Sequence, residues 1–147
     1  MRRPPVDLSY RTAITRPQSS PSAPSKWLYA NGFIQGFRRL DYGCGKSKDA
    51  AWWGMDSYDP HFHPAEPKGR YDTILCTYVL NVVPRVDQPH IINRIKYLLK
   101  KNGKAYFTVT RSMVWGRRKN GTLQRKVTLD MPVIYRTGGY IIYEFSY

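Results

Sequence analysis

The chain has 147 residues, of which 41% are hydrophobic, and carries 24 Lys and Arg against 10 Asp and Glu for a formal charge of +14. That length predicts one domain with room for a single core, and the charge favours an anionic partner, nucleic acid first. Two cysteines, no apolar run of transmembrane length and a polar start exclude a disulfide scaffold and a membrane span, and predict a cytoplasmic protein without a signal peptide.

Residues 1–24 are rich in proline and read as an extended N-terminal arm, with residues 25–147 as the single domain. Ser25 is a candidate helix N-cap, and a short helix is predicted over Lys26–Asn31, closed by Gly32. "FRRLDYGC" reads as a first strand ending at Asp41 or Tyr42, and "KSKDAAWW" as a short helix stopped by Gly54. "MDSYD" is a second strand, and residues 60–70 are a proline- and glycine-marked loop. A third strand is expected over Thr73–Thr77, followed by a bend near Asn81–Pro84.

The best-marked helix is Asp87–Lys101: Asp87 caps it, and Ile91, Ile92, Ile95, Leu98 and Leu99 recur on one face. Pro89 lies in its first turn, Lys100 and Lys101 suit its C-terminus, and Asn102-Gly103 ends it. "KAYFTVTR" is a strand, and residues 112–125 are a loop rich in Gly, Arg and Lys. "KVTLDMPVIY" and "YIIYEFSY" then form a hairpin around "RTGG", with Pro132 marking an edge or bulge. Alternating strands and helices predict a mostly parallel sheet, with the terminal hairpin adding antiparallel strands at one edge.

In such a sheet ligands bind beyond the carboxyl ends of the strands, where strand order reverses. Gly43-Cys44-Gly45 follows the first strand there, and Asp59 ends the next one fourteen positions after Gly45. Glycine lets a ligand lie against the backbone, and an acid at Asp59 suits ribose hydroxyls. A dinucleotide fingerprint needs a third glycine where Lys48 stands, and Asp41 would repel a phosphate. Asp41 instead suits a ligand with a positive charge and an amine.

"LDYGCGKSKDA", "YDP", "YDTILCTYVLNVVP" and "LLKKNGKAYFTV" resemble motifs of class I S-adenosylmethionine-dependent methyltransferases. The N-terminal "RTAITRP" with "LDYGCG" and "YVLNVV" is similar to small methyltransferases of bacteria and their phages, some of them associated with DNA phosphorothioation clusters. The resemblance implies a compact, trimmed α/β Rossmann-like methyltransferase fold with S-adenosylmethionine as cofactor. It implies that Asp41 lies near the methionine amine. It also implies that Tyr42, Gly43, Cys44 and Gly45 pass close to the cofactor, that Asp59 holds the ribose, and that Thr77 and Tyr78 border the methyl donor.

A full class I domain has a third strand and helix that residues 60–70 cannot supply. Eleven extended residues reach about 36 Å, enough for the crossing alone. The family's contact to adenine is then missing. Trp52 and Trp53 are read as packing residues, with base stacking as the alternative. Neither the amino-directed DNA methyltransferase motif nor a Pro-Cys nucleophile occurs, since Leu75 precedes Cys76. Tyr78 and Asn81 are the remaining catalytic candidates, Asn81 being equally a holder of the bend. His61 and His63 lack the further ligands of a metal site, so no metal is expected. Arg111, Trp115, Arg117, Arg118, Lys119 and Arg125 cluster late, an aromatic among cations that suits a phosphate backbone and a base. The expectation is methyl transfer, with nucleic acid as the acceptor the charge favours. The alternative is a non-catalytic S-adenosylmethionine-, nucleotide- or nucleic-acid-binding protein on the same fold. A dinucleotide oxidoreductase comes third.

Overall fold

The computed structural model describes residues 21–43, 48–111, 116–117, 123–124 and 126–147. Residues 1–20 of the expected arm lie outside the described residues. Helix α1 (Ala23–Ala30) starts earlier than expected, because Ser22 caps it: its hydroxyl accepts the Ser25 N–H at 3.3 Å, with proline in the first turn. Ser25 itself is buried and receives the Trp53 indole N–H at 3.0 Å.

Next come β1 (Arg39–Tyr42), α2 (Lys48–Trp53), β2 (Asp56–Tyr58), β3 (Tyr71–Thr77), α3 (Gln88–Leu98) and β4 (Leu99–Thr110). Then follow β5 (Gly116–Arg117), β6 (Leu123–Gln124), β7 (Val133–Arg136) and β8 (Tyr140–Ser146). Six strands form one sheet in the order β2-β1-β3-β4-β8-β7. The first four run parallel, and β8 and β7 run antiparallel, as the hairpin predicts. β2 is the outer strand. Between it and β3 the chain forms only an isolated bridge, Asp59 to His63, so the crossing is made without a third-strand unit.

Both faces of the sheet are covered, which is why its strands are near-continuous apolar runs. Leu28, Ala50, Leu75, Tyr106 and Ile142 pack beneath α1 and α2. Leu40, Ile74, Cys76, Ile95, Leu98, Phe107 and Val109 pack beneath α3.

The long helix is shorter than its periodicity suggests. It ends at Leu98, and Leu99 is already extended (φ −88°, ψ 135°) and paired with Tyr71. Leu99 is fully buried, and an apolar signal of this kind fits a helix end and a strand start equally. Gly103 belongs to the strand: a Cβ there would sit 2.9 Å from the Tyr71 carbonyl, so only glycine fits the close approach. The residues between Leu99 and Lys104 bulge, since β3 advances only from Tyr71 to Thr73 opposite them. Asp87 makes no capping hydrogen bond with its side chain and has helical dihedrals.

The hairpin's first arm is also shorter, pairing only from Val133. The Pro132 carbonyl accepts the Glu144 N–H at 2.9 Å, and a register shift follows between Val133 and Tyr135, the bulge that proline signalled. The segment read as a basic loop contains the β5–β6 ribbon, pairing Gly116 with Gln124 and Arg117 with Leu123. Among the described residues no helix is long and apolar enough to cross a membrane.

Candidate functional site

Strand order reverses at β1, which has β2 on one side and β3 on the other. Their carboxyl ends gather Asp41, Tyr42 and Gly43 from β1, Asp59 after β2, and Thr77 and Tyr78 from β3. Thr108 and Thr110 of β4 stand beside them. This is the crevice where an open parallel sheet binds ligands. Cys44 and Gly45 lie outside the described residues.

Gly43 extends the parallel ladder, donating to the Tyr58 carbonyl at 2.7 Å. Its φ is +83°, and a Cβ would overlap the Val79 Cγ2 at 2.4 Å. The glycine is therefore required twice, by its dihedral and by a side chain of this protein packed on it. Tyr42 is buried and its ring lies 4.8 Å from that of Tyr58.

Asp41 is 4% exposed. Burial, then Asp49, then Asp59 hold its pKa well above the ordinary carboxylate range. It pairs with Leu75, so by strand alternation it shares the face beneath α1 and α2 with Thr77. Thr77 pairs in turn with Thr108, and both hydroxyls are buried without a hydrogen-bond partner among the described residues. A buried acid whose charge its acidic neighbours disfavour, on the same face as two hydroxyls without partners among the described residues, suits a cationic ligand rich in hydrogen-bonding groups and disfavours a phosphate.

Asp49 is committed. Its carboxylate accepts the Ser22 N–H at 2.7 Å and the Ser22 hydroxyl at 2.6 Å, pinning the start of α1 to α2. Asp59 is fully buried, and its Oδ1 accepts the N–H groups of His61 (2.9 Å) and Phe62 (3.0 Å), shaping the turn that the His63 bridge closes. His61 packs edge-on against Phe62, and the described residues hold no cluster of metal ligands.

Tyr78, immediately after β3, is the one non-glycine residue with positive φ (+60°) among the described residues. Its N–H donates to the Thr108 carbonyl at 2.9 Å, which locks the strained turn. Strain of this kind collects at functional sites. A Tyr78→Gly variant is expected to melt above Tyr78→Ala by an amount equivalent to about 1 kcal/mol, the reverse of the usual order, because only alanine retains the left-handed penalty. Thermal melts of the two variants check this.

Asn81 is 1% exposed, and its Oδ1 accepts the Thr110 N–H at 2.9 Å, so the structure places it at the bend, holding the end of β4. Cys76 is buried and its thiol pKa is pushed up by burial, then by the Asp41 charge, which leaves it no nucleophile. Trp53 stacks on Tyr29 at 4.2 Å as a packing residue, whereas Trp52 is exposed.

Of the late basic residues, Arg111 is at the site edge. Its N–H donates to the Gly139 carbonyl at 2.8 Å and its guanidinium to the Thr137 carbonyl at 2.7 Å. Arg117 lies on β5; Trp115, Arg118, Lys119 and Arg125 lie outside the described residues. The ribbon follows β4, whose carboxyl end is on this edge. A cavity of about 400 Å³ lined by Gln35, Thr73, Asn102 and Lys104 lies at the opposite, amino edge.

Sequence reasoning missed Thr108, and it offered Asp49, with His61 and Phe62, as a replacement for the adenine contact, whereas Asp49 is bonded to Ser22. Thr108 is recognisable only once the register sets it beside Thr77, and the role of Asp49 only once α1 docks on α2.

A family described as a methyltransferase domain matches residues 16–140. No curated protein matches the chain. Among solved structures, the chain is similar to the 1,6-didemethyltoxoflavin-N1-methyltransferase of Burkholderia thailandensis, with bound 1,6-didemethyltoxoflavin and S-adenosylhomocysteine. Identity is 16%, coverage is 83% of this chain and 76% of that one, and the TM-score is 0.62. It is also similar to the magnesium protoporphyrin IX methyltransferase of Synechocystis PCC 6803, at 15% identity, 93% and 79% coverage, and a TM-score of 0.49. At such identities the first likeness speaks for the fold, and it is the family match over most of the sequence that places the chain: it belongs to the methyltransferase-domain family.

Proposed function

We propose that the chain binds S-adenosylmethionine across the carboxyl ends of β1, β2 and β3 and transfers its methyl group to an acceptor held at the β3–β4 end. Asp41 carries this reading, as a buried carboxylate whose charged form burial, Asp49 and Asp59 disfavour, at the point where strand order reverses. When bound, the cofactor supplies an electrophilic methyl on a positively charged sulfur. Asp41 faces its cationic methionine end, and the Thr77 and Thr108 hydroxyls offer the hydrogen bonds they lack. Asp59 lines the ribose side, in the turn that its own Oδ1 holds. Tyr78 borders the methyl.

Aligning an acceptor lone pair with that methyl supplies much of the rate, so no strong base has to sit in the pocket. The acceptor we favour is a nucleic acid. Its support is the charge of +14 and the placement of Arg111 at the end of β4, on the site edge. The toxoflavin-type neighbour acts instead on a small heterocycle.

Calorimetry is expected to give binding of S-adenosylmethionine and S-adenosylhomocysteine but not of NAD. Absence of the first two would sink the pocket. Tritiated methyl offered with DNA, RNA and the small-molecule fraction of a cell extract identifies the acceptor class. Label confined to small molecules would remove the nucleic-acid reading.

A further inference from the structure

We propose that Tyr140 and Tyr78 form the seat of the acceptor's ring, and that this ring is a planar nitrogen heterocycle with a negatively charged group attached to it or to the molecule that bears it. The proposal deepens the methyl-transfer reading and rests on it for the identity of the site.

Tyr78 and Tyr140 meet at right angles at the carboxyl edge, their centroids 6.5 Å apart and their planes at 84°. They form two walls of a corner, one at the end of β3 and one at the start of β8. Both walls are fixed. Tyr78 is held by its strained backbone and the Thr108 carbonyl. Tyr140 is braced from behind: its ring lies 6.0 Å from Tyr135, which stacks flat on Trp27 at 4.1 Å and 10°, and Trp27 stacks on Phe33 at 5.4 Å. This ladder packs α1 against the hairpin and fixes the orientation of the one ring at its site end.

The chemistry of the corner is selective. A ring stacks on an aromatic wall whatever its substituents. The Tyr140 hydroxyl makes no hydrogen bond among the described residues, and burial raises its pKa, so it stays a neutral donor. Arg111 adds a fixed cation beside the turn, held by the Gly139 and Thr137 carbonyls. The turn leaves room: a Cβ on Gly138 would meet nothing within 4 Å. Two tyrosines, a neutral donor and a guanidinium suit a flat, electron-poor ring on an anionic molecule better than an aliphatic or cationic acceptor.

The test compares orotate, a planar pyrimidine carboxylate, with dihydroorotate, whose saturated ring is puckered but whose charge and polar groups are nearly the same. Both are titrated by calorimetry with S-adenosylhomocysteine present to fill the cofactor side. Wild type is expected to bind orotate about tenfold more tightly, within what stacking on aromatic side chains supplies. Tyr140→Phe keeps the preference and Tyr140→Ala erases it. Equal affinities in wild type, or a preference unchanged in Tyr140→Ala, overturn the proposal. A heptamer of thymidylate separates the two sources of such a ring. Tighter binding than orotate with a steep salt slope supports the seat as one for a base in a strand, and binding no tighter than orotate supports it as one for a free heterocycle. If S-adenosylmethionine fails to bind while the orotate preference persists, the cofactor reading falls and the seat stands.

Discussion

Asp41→Asn is expected to move stability and ligand binding in opposite directions. The protein without ligand should become more stable by about 2 kcal/mol, because the substitution keeps the shape of the side chain and removes a buried charge that Asp49 and Asp59 oppose. For a chain of 147 residues that corresponds to a rise in melting temperature of roughly 4–8 °C. Affinity for S-adenosylmethionine should fall on the order of a hundredfold, the equivalent of about 3 kcal/mol for a hydrogen bond to a charged group. S-adenosylhomocysteine lacks the sulfonium charge and should lose less. The sign of the pH dependence follows from the raised pKa. The folded state holds the Asp41 proton more tightly than the unfolded chain, so its contribution is complete below the ordinary aspartate range and is lost as pH rises through the raised value. Asp41→Asn abolishes that decline. Cofactor binding has the opposite slope, because the bound cation favours the carboxylate: affinity in wild type rises over the same window and is flat in the variant. Melting and calorimetry across an acid-to-neutral pH series read both. A wild-type protein whose melting temperature exceeds that of the variant would place a hidden counter-charge on Asp41 and end this account.

The part of the site visible in the sequence is the part that depends on local order. Asp41, Gly43 and Asp59 follow from a strand, a turn and a second strand read in a line, and the sheet puts them together because β1 and β2 pair directly. The trimmed crossing was legible for the same reason, since chain length and proline placement limit what residues 60–70 can form. What depends on register was not legible. The Thr77–Thr108 pair comes from β3 and β4, which are joined through α3 and a bulge that no period-two pattern encodes. The boundary between α3 and β4 was misplaced because Leu98 and Leu99 are buried on either reading, and the helical one accommodated Lys100, Lys101 and Gly103 as an ordinary C-terminus. Gly43 was legible as necessary but not for its whole reason. A glycine beside a ligand suggests space left for the ligand, whereas the space here is occupied by Val79.

That occupancy makes Gly43→Ala the most disruptive small substitution at the site. The new methyl meets the Val79 Cγ2 at 2.4 Å, and Val79 is itself buried in the α3-side core, so it cannot swing away. The residue must also hold φ near +83°, which costs a non-glycine residue about 1–2 kcal/mol. Together the overlap and the strain are expected to cost about 3–4 kcal/mol of stability. The two causes separate in a double-mutant cycle. Val79→Ala alone should cost about 2 kcal/mol as a core truncation. In combination with Gly43→Ala it should cost less than the sum by about 1–2 kcal/mol, because the truncation removes the overlap while the dihedral penalty remains. Urea titrations of the four proteins give the coupling. Additive costs would mean that Val79 yields and that the glycine is needed for its dihedral alone. In that case S-adenosylmethionine affinity should track the dihedral and stay impaired in the double variant. With coupling of the expected sign, affinity is also impaired there, since the strained peptide at residue 43 is the one that leads into the cofactor turn. Stability rescued in part with binding still impaired is the result expected of a glycine that both packs against Val79 and shapes the pocket, and binding rescued together with stability would leave it the packing role alone.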